Sequence, residues 1–124
     1  MPIDKTKLLD FARQLAQTED EVQLRTAVSK AYYYAYHDCM TWMQSLPGVG
    51  LAATNGGVHL VLASRLKSLQ KPCTEADRKR GKQKAYALAS LKDKRTMADY
   101  HLGASVTQSL AEEAIADAQR IAVF

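Results

Sequence analysis

The sequence predicts an all-α protein, an up-and-down four-helix bundle with one additional shorter helix. Three observations lead there. Proline stands only at positions 2, 47 and 72, which leaves long stretches without a helix breaker. No alternation of apolar and polar residues is sustained in the manner of a strand. Apolar residues recur instead at helical spacing between capping signals. With 124 residues, 47% hydrophobic and 24% charged, the chain reads as one soluble domain over 1–124, long enough to bury a core.

The elements follow in order. A first helix is expected from about Asp4 to Gln17, with Leu8, Leu9, Ala12, Leu15 and Ala16 on one side. The second starts at Thr18, where T-E-D-E reads as a capping box: the Thr18 hydroxyl accepts from the Glu21 N–H and Glu21 reaches back. It runs to about Leu46 and stops before Pro47-Gly48. The segment PGVGLAATNGG (47–57) is a loop; as a phosphate cradle it lacks both a preceding strand and a GK[ST] sequence. A third helix spans about Val58 to Leu69 and is broken at Lys71-Pro72. The fourth begins with Thr74 as N-cap and ends near Leu102, with Gly103 as its stop. Ser105 and Gln108 read as a capping box for a fifth helix with Val106, Leu110, Ala114, Ala118 and Ile121 in line.

Several function classes find no support. No apolar run approaches the roughly 20 residues that cross a bilayer. The segment MPIDKTKLLD lacks the apolar core of a signal peptide, so a cytoplasmic protein with no membrane partner is expected. Cys39 and Cys73 then read as reduced thiols. CxxC, HExxH and ExxH patterns are lacking, so neither a metal nor a cofactor is expected.

Charge is unevenly placed. Residues 65–95 hold 11 of the 17 Lys and Arg against three acids, so that stretch carries +8 and the remainder −4 of the net +4. An anionic partner such as RNA, DNA or a nucleotide is one reading; a solvated helix face is the other. The run Arg78, Lys79, Arg80, Lys82 and Lys84 is its densest part.

On a helical wheel, Arg25, Ser29, Tyr32, Tyr36, Cys39 and Met43 fall near one line, with Leu24, Val28, Ala31, Ala35, Trp42 and Leu46 beside it. So wide an apolar arc suits a central helix or an interface with a second chain. Lys30, Tyr34, Asp38 and Thr41 lie opposite and should face solvent, with His37 at the edge of that polar arc. Tyr32 and Tyr36, beside Arg25, either line a groove where bases stack or are core residues with hydroxyls reaching outward.

In the fourth helix Arg95 shares a side with Leu88, Leu91 and Leu102, where a fixed cation needs a partner or a wet groove. Asp99, four residues on, is the ready partner. His101 follows Arg95 by six residues, about 120° away around the axis, so the two do not converge well within one chain. Either the helix loosens before Gly103 and turns His101 inward, or two chains pair so that each supplies Arg95 and His101 to a shared cleft.

The segment R-T-A-V-S-K-A-Y-Y-Y-A-Y-H (25–37), His59 after the glycine-containing loop, and L-K-D-K-R-T-M-A-D-Y-H-L (91–102) together resemble the HEPN superfamily of small helical domains. The resemblance covers most of the chain. It implies a homodimer or paired domains, and in many members metal-independent endoribonuclease activity in toxin–antitoxin, phage-defence or RNA-processing systems, in some cases with an antitoxin-like protein partner. The family signature is an Arg, four to six residues, then a His; Arg95 and His101 match it. The residue after the arginine is often Asn, Asp or His in the family, and here it is Thr96. The resemblance further implies that His101 acts as general acid or base while Arg95 holds the phosphorane. Asp99 and Tyr100 would orient them, and the basic 78–84 run would track the RNA backbone. The alternative is a non-catalytic HEPN module that binds a nucleotide or a protein partner. A helical DNA-binding protein is a third reading, without a convincing helix-turn-helix.

Overall fold

The computed structural model of the chain describes residues 3–47, 58–70 and 72–124, and within these the regular structure is helical, with no strand. Five helices follow one another: α1 (Thr6–Leu15), α2 (Glu21–Gln44), α3 (Val58–Lys67), α4 (Glu75–Tyr100) and α5 (Gln108–Val123). Residues 48–57 of the glycine-containing loop, and the side chain of His59, lie outside the described residues. No helix among the described residues is long and apolar enough to cross a membrane.

α2 is the hub, touching α1, α3, α4 and α5, as its wide apolar arc predicts. Its most extensive contact is with α5. Both helices bury alanines, Ala27, Ala31 and Ala35 on α2 and Ala111, Ala114 and Ala118 on α5, and small side chains let backbones approach closely. The expected stripe of α1 is buried or half-buried against this core. Tyr34 departs from the expectation of a solvent-facing residue: it is buried. α1 packs on α2, and Lys5, Arg13 and Asp4 all lie near the Tyr34 hydroxyl, whose pKa burial raises. A wheel drawn for α2 alone has no knowledge of that neighbour. The Lys5–Asp38 ion pair, at 2.8 Å, ties the same two segments together.

Two of the three expected caps move. Asp20, not Thr18, caps α2, accepting from Gln23 N–H at 3.2 Å, while the Thr18 hydroxyl donates back to the Leu15 carbonyl at the end of α1. Thr107, not Ser105, caps α5, accepting from Leu110 N–H at 3.1 Å. In both cases the residue expected to complete a local box bonds across the fold instead. The Glu21 carboxylate accepts from Val106 N–H at 2.9 Å, and the Gln108 amide donates to the Ala16 carbonyl at 2.9 Å. Thr74 caps α4 as expected, accepting from Asp77 N–H at 3.0 Å.

α4 ends at Tyr100 with His101 as C-cap, short of the expected Leu102. Gly103 does not stop it; a side chain there would meet nothing within 4 Å. The closure comes from Arg25 on α2. Its Nη1 donates to the carbonyls of Ala98 (2.9 Å), His101 (3.2 Å) and Met97 (3.3 Å), and its Nη2 to those of Leu102 (3.4 Å) and Ala104. These carbonyls include ones that the end of a helix leaves without an intrahelical donor, and a cation suits the negative end of the helix.

α3 lies against the first half of α4, and Gly81 is why it can come so close. A Cβ at Gly81 would sit 2.6 Å from the Leu66 carbonyl oxygen and 2.7 Å from Leu69 Cδ1. Cys39 and Cys73 are free and buried, and burial pushes the Cys39 thiol up to about 12.

Candidate functional site

Arg95 projects from α4 into a notch walled by α2. Its guanidinium carbon lies 5.5 Å from the ring centroids of Tyr33 and Tyr100 and 5.9 Å from that of Tyr32. Nη2 donates to the Tyr33 hydroxyl at 3.1 Å. Nε stands 2.9 Å from Asp99 Oδ2, yet its N–H is not aimed at that oxygen, so the contact is an ion pair without a formed hydrogen bond. Asp99 Oδ2 also accepts, at 3.4 Å, from the Ser29 hydroxyl. The Arg95 side chain is only 14% exposed. Burial opposes its charge, but Tyr33, Asp99 and the other rings outweigh that and raise its pKa, so it stays a cation. Nη1 has no hydrogen-bond acceptor among the described residues, which leaves part of the fork free for a ligand.

His101 sits at the α4 C-cap, its backbone N–H bonded to the Met97 carbonyl at 3.0 Å and its side chain exposed. The helix does loosen there, but the His101 side chain stays exposed. Tyr100 beside it is 66% exposed and Leu102 79%. His37 is at the surface, as expected.

The supporting residues separate. Tyr32 and Tyr36 are core residues and offer no open ring face to a base within this chain. Burial raises both hydroxyl pKa values, and Tyr32 is the more shielded. Arg25 is occupied by the α4 terminus and by Glu21 at 3.1 Å, so it supports the Tyr100–His101 turn rather than a groove. Tyr33, the residue that touches Arg95, was not singled out by the wheel. Its signal is its place four residues after Ser29, since Ser29 and Tyr33 bond the two members of the Arg95–Asp99 pair.

The basic 78–84 run also divides. Lys84 is not on the surface: it is 1% exposed, its ammonium 5.0 Å from the Trp42 ring centroid, and it donates to the Ile121 carbonyl at 2.9 Å. Burial lowers its pKa. Arg80 donates through Nε to the Phe124 carbonyl at 3.0 Å and also lies over Trp42. Both cations thus close the end of α5, as Arg25 closes α4. A helical wheel of α4 cannot separate them from their neighbours, because only the approach of α5 and Trp42 draws them in. Arg78, Lys79 and Lys82 remain outside, lining a cleft of about 580 Å³ with Lys67, Gln70 and Glu75 between α3 and α4.

Among the described residues no group of three or more His, Cys, Asp or Glu could hold a metal ion. Comparison with known proteins finds no matching family model, no matching curated protein and no matching solved structure.

Proposed function

We propose that the five helices form a HEPN-like bundle that binds RNA as a homodimer and cleaves it without a metal, with Arg95 and His101 as the reacting pair. The observation that carries this reading is Arg95 itself. It is a guanidinium held by three rings and one carboxylate, with unused Nη1 donors, six residues ahead of an exposed imidazole. The RNA 2′-oxygen would attack the adjacent phosphorus as the bond to the 5′-oxygen breaks, leaving a cyclic phosphate and a 5′-hydroxyl. One imidazole takes the 2′-proton and one gives a proton to the 5′-oxygen. Arg95 stabilises the charge on the non-bridging oxygens. Two copies supply both imidazoles, and they remove the need for Arg95 and His101, about 120° apart on the helical wheel, to converge within one chain. A role in a toxin or defence system, with an antitoxin-like partner, would follow from the same chemistry.

The test is incubation of purified protein with RNA in EDTA. Cleavage that leaves a cyclic phosphate, and that disappears in Arg95→Ala and His101→Ala, supports the reading. Absence of cleavage, or equal cleavage by His101→Ala, rejects it.

One observation favours the alternative of a non-catalytic RNA-, nucleotide- or partner-binding module. Tyr33 already accepts from Arg95 Nη2 and Asp99 neutralises its charge, which suits a structural pair. An Arg95→Ala protein that loses thermal stability but neither activity nor ligand affinity selects this module.

A further inference from the structure

Most arginines and several lysines of this fold have a carboxylate or carbonyl partner. Arg13, Arg25, Arg80, Arg95, Arg120, Lys5 and Lys94 are each in an ion pair, and Lys84 is bonded to a carbonyl. Arg78, Lys79 and Lys82 differ: none forms an ion pair among the described residues, and all three border the cleft between the end of α3 and the start of α4. Lys67, in the last turn of α3, faces them across it. Glu75 is the acid of that lining, so the four cations leave a net charge of +3 there.

The cations are not alone on this face. Tyr86 is 65% exposed, and the Lys67 ammonium lies 5.0 Å from its ring centroid. At 100° per residue, Arg78, Lys79, Lys82 and Tyr86 fall within about 100° of one another around α4. Asp93, further along the same face, marks where the positive stripe ends. Tyr86 is thus an exposed phenol ring with one cation against it and three more on its helix face. This face suits a strand whose phosphates lie along the charges and whose base stacks on the ring. A duplex would keep its bases stacked on each other and could not use the ring.

We infer that Lys67, Arg78, Lys79, Lys82 and Tyr86 form a binding stripe for single-stranded RNA, separate from Arg95. Arg78 and Arg95 are 17 residues apart on one helix, about 25 Å along its axis. The stripe rests on the proposal that RNA is the ligand, but not on cleavage. It also narrows the basic run: Arg80 and Lys84 hold α5, and Lys67 and Tyr86 take their place.

The test is fluorescence anisotropy with a 2′-O-methyl oligouridylate, which can be bound but not cut, across a salt series. Arg78→Ala, Lys79→Ala and Lys82→Ala should each flatten the slope of log affinity against log salt by about 0.7. Tyr86→Ala should weaken binding by about 5- to 150-fold, and Tyr86→Phe should restore it. Lys7→Ala, an exposed cation on α1, should leave binding unchanged. Melting curves check that each variant is folded. Wild-type affinity in the triple Arg78/Lys79/Lys82→Ala variant overturns the inference. So does a duplex RNA that binds as tightly as the single strand with Tyr86→Ala neutral, or polyaspartate that competes as well as RNA. Loss of cleavage in His101→Ala with binding retained separates the two claims. Wild-type protein that binds the oligouridylate but never cleaves RNA leaves the stripe standing and removes the nuclease.

Discussion

Arg25 Nη1 donates to the Ala98 carbonyl at 2.9 Å, so a residue in the first turns of α2 holds the last turn of α4. The turn that carries Tyr100 and His101 is therefore set from across the fold. The same guanidinium binds Glu21, which in turn accepts from Val106 N–H ahead of α5.

Arg25→Ala is expected to destabilise the protein by about 2–4 kcal/mol, because charge-assisted bonds to several half-buried carbonyls are lost at once. Arg25→Lys should recover only part, since an ammonium cannot span the same set. Chemical denaturation gives the stability. Hydrogen exchange should show faster opening over residues 98–104, and exchange confined elsewhere would contradict the role assigned to Arg25.

Lys84→Ala should cost about 2–3 kcal/mol, from the cavity and the Ile121 carbonyl left unbonded. Lys84→Met, which keeps the volume and removes the charge, should cost less than about 1 kcal/mol. Burial lowers the Lys84 pKa, so above its unfolded pKa both states are neutral and there is no penalty. As pH falls through the folded pKa the unfavourable buried charge is fully present, so this residue's contribution makes stability rise with pH towards the unfolded value of 10.5. Denaturation curves at several alkaline pH values should show that rise in the wild type and not in Lys84→Met.

Gly81→Ala should lower the melting temperature although alanine is the better helix former. The new methyl would meet the Leu66 carbonyl oxygen at 2.6 Å, and a backbone atom cannot swing aside. A net loss of about 1–3 kcal/mol is expected after up to about 1 kcal/mol of propensity gain. A stabilised Gly81→Ala would mean that α3 does not approach α4 this closely.

Of the three one-turn caps legible in the sequence, one forms as read. Thr74 and its partner Asp77 N–H are three residues apart, and the cap forms as read. The apolar stripes of α1 and α5 also reach the core as expected. Features that depend on a second element were not legible. Glu21 and Gln108 leave their local boxes because Val106 and Ala16 offer partners across the fold, and the caps move to Asp20 and Thr107. Tyr34 is buried by α1, and Lys84 is drawn inward by Trp42 and α5. At the site, the Arg95–Asp99 pair follows from i,i+4 spacing, whereas Tyr33 and the Arg25 clamp need the α2–α4 contact.

The most direct test of a shared Arg95–His101 site is complementation. Arg95→Ala and His101→Ala proteins, each assayed alone and then refolded together, are incubated with RNA in EDTA. A site built from two copies predicts that each variant alone is inactive and that the mixture recovers a small part of the wild-type cleavage, because a mixed dimer brings one intact Arg95 and one intact His101 to a shared cleft, with water replacing the second imidazole in one proton transfer. A mixture as inactive as its components, with exchange of copies verified by mass, would contradict it.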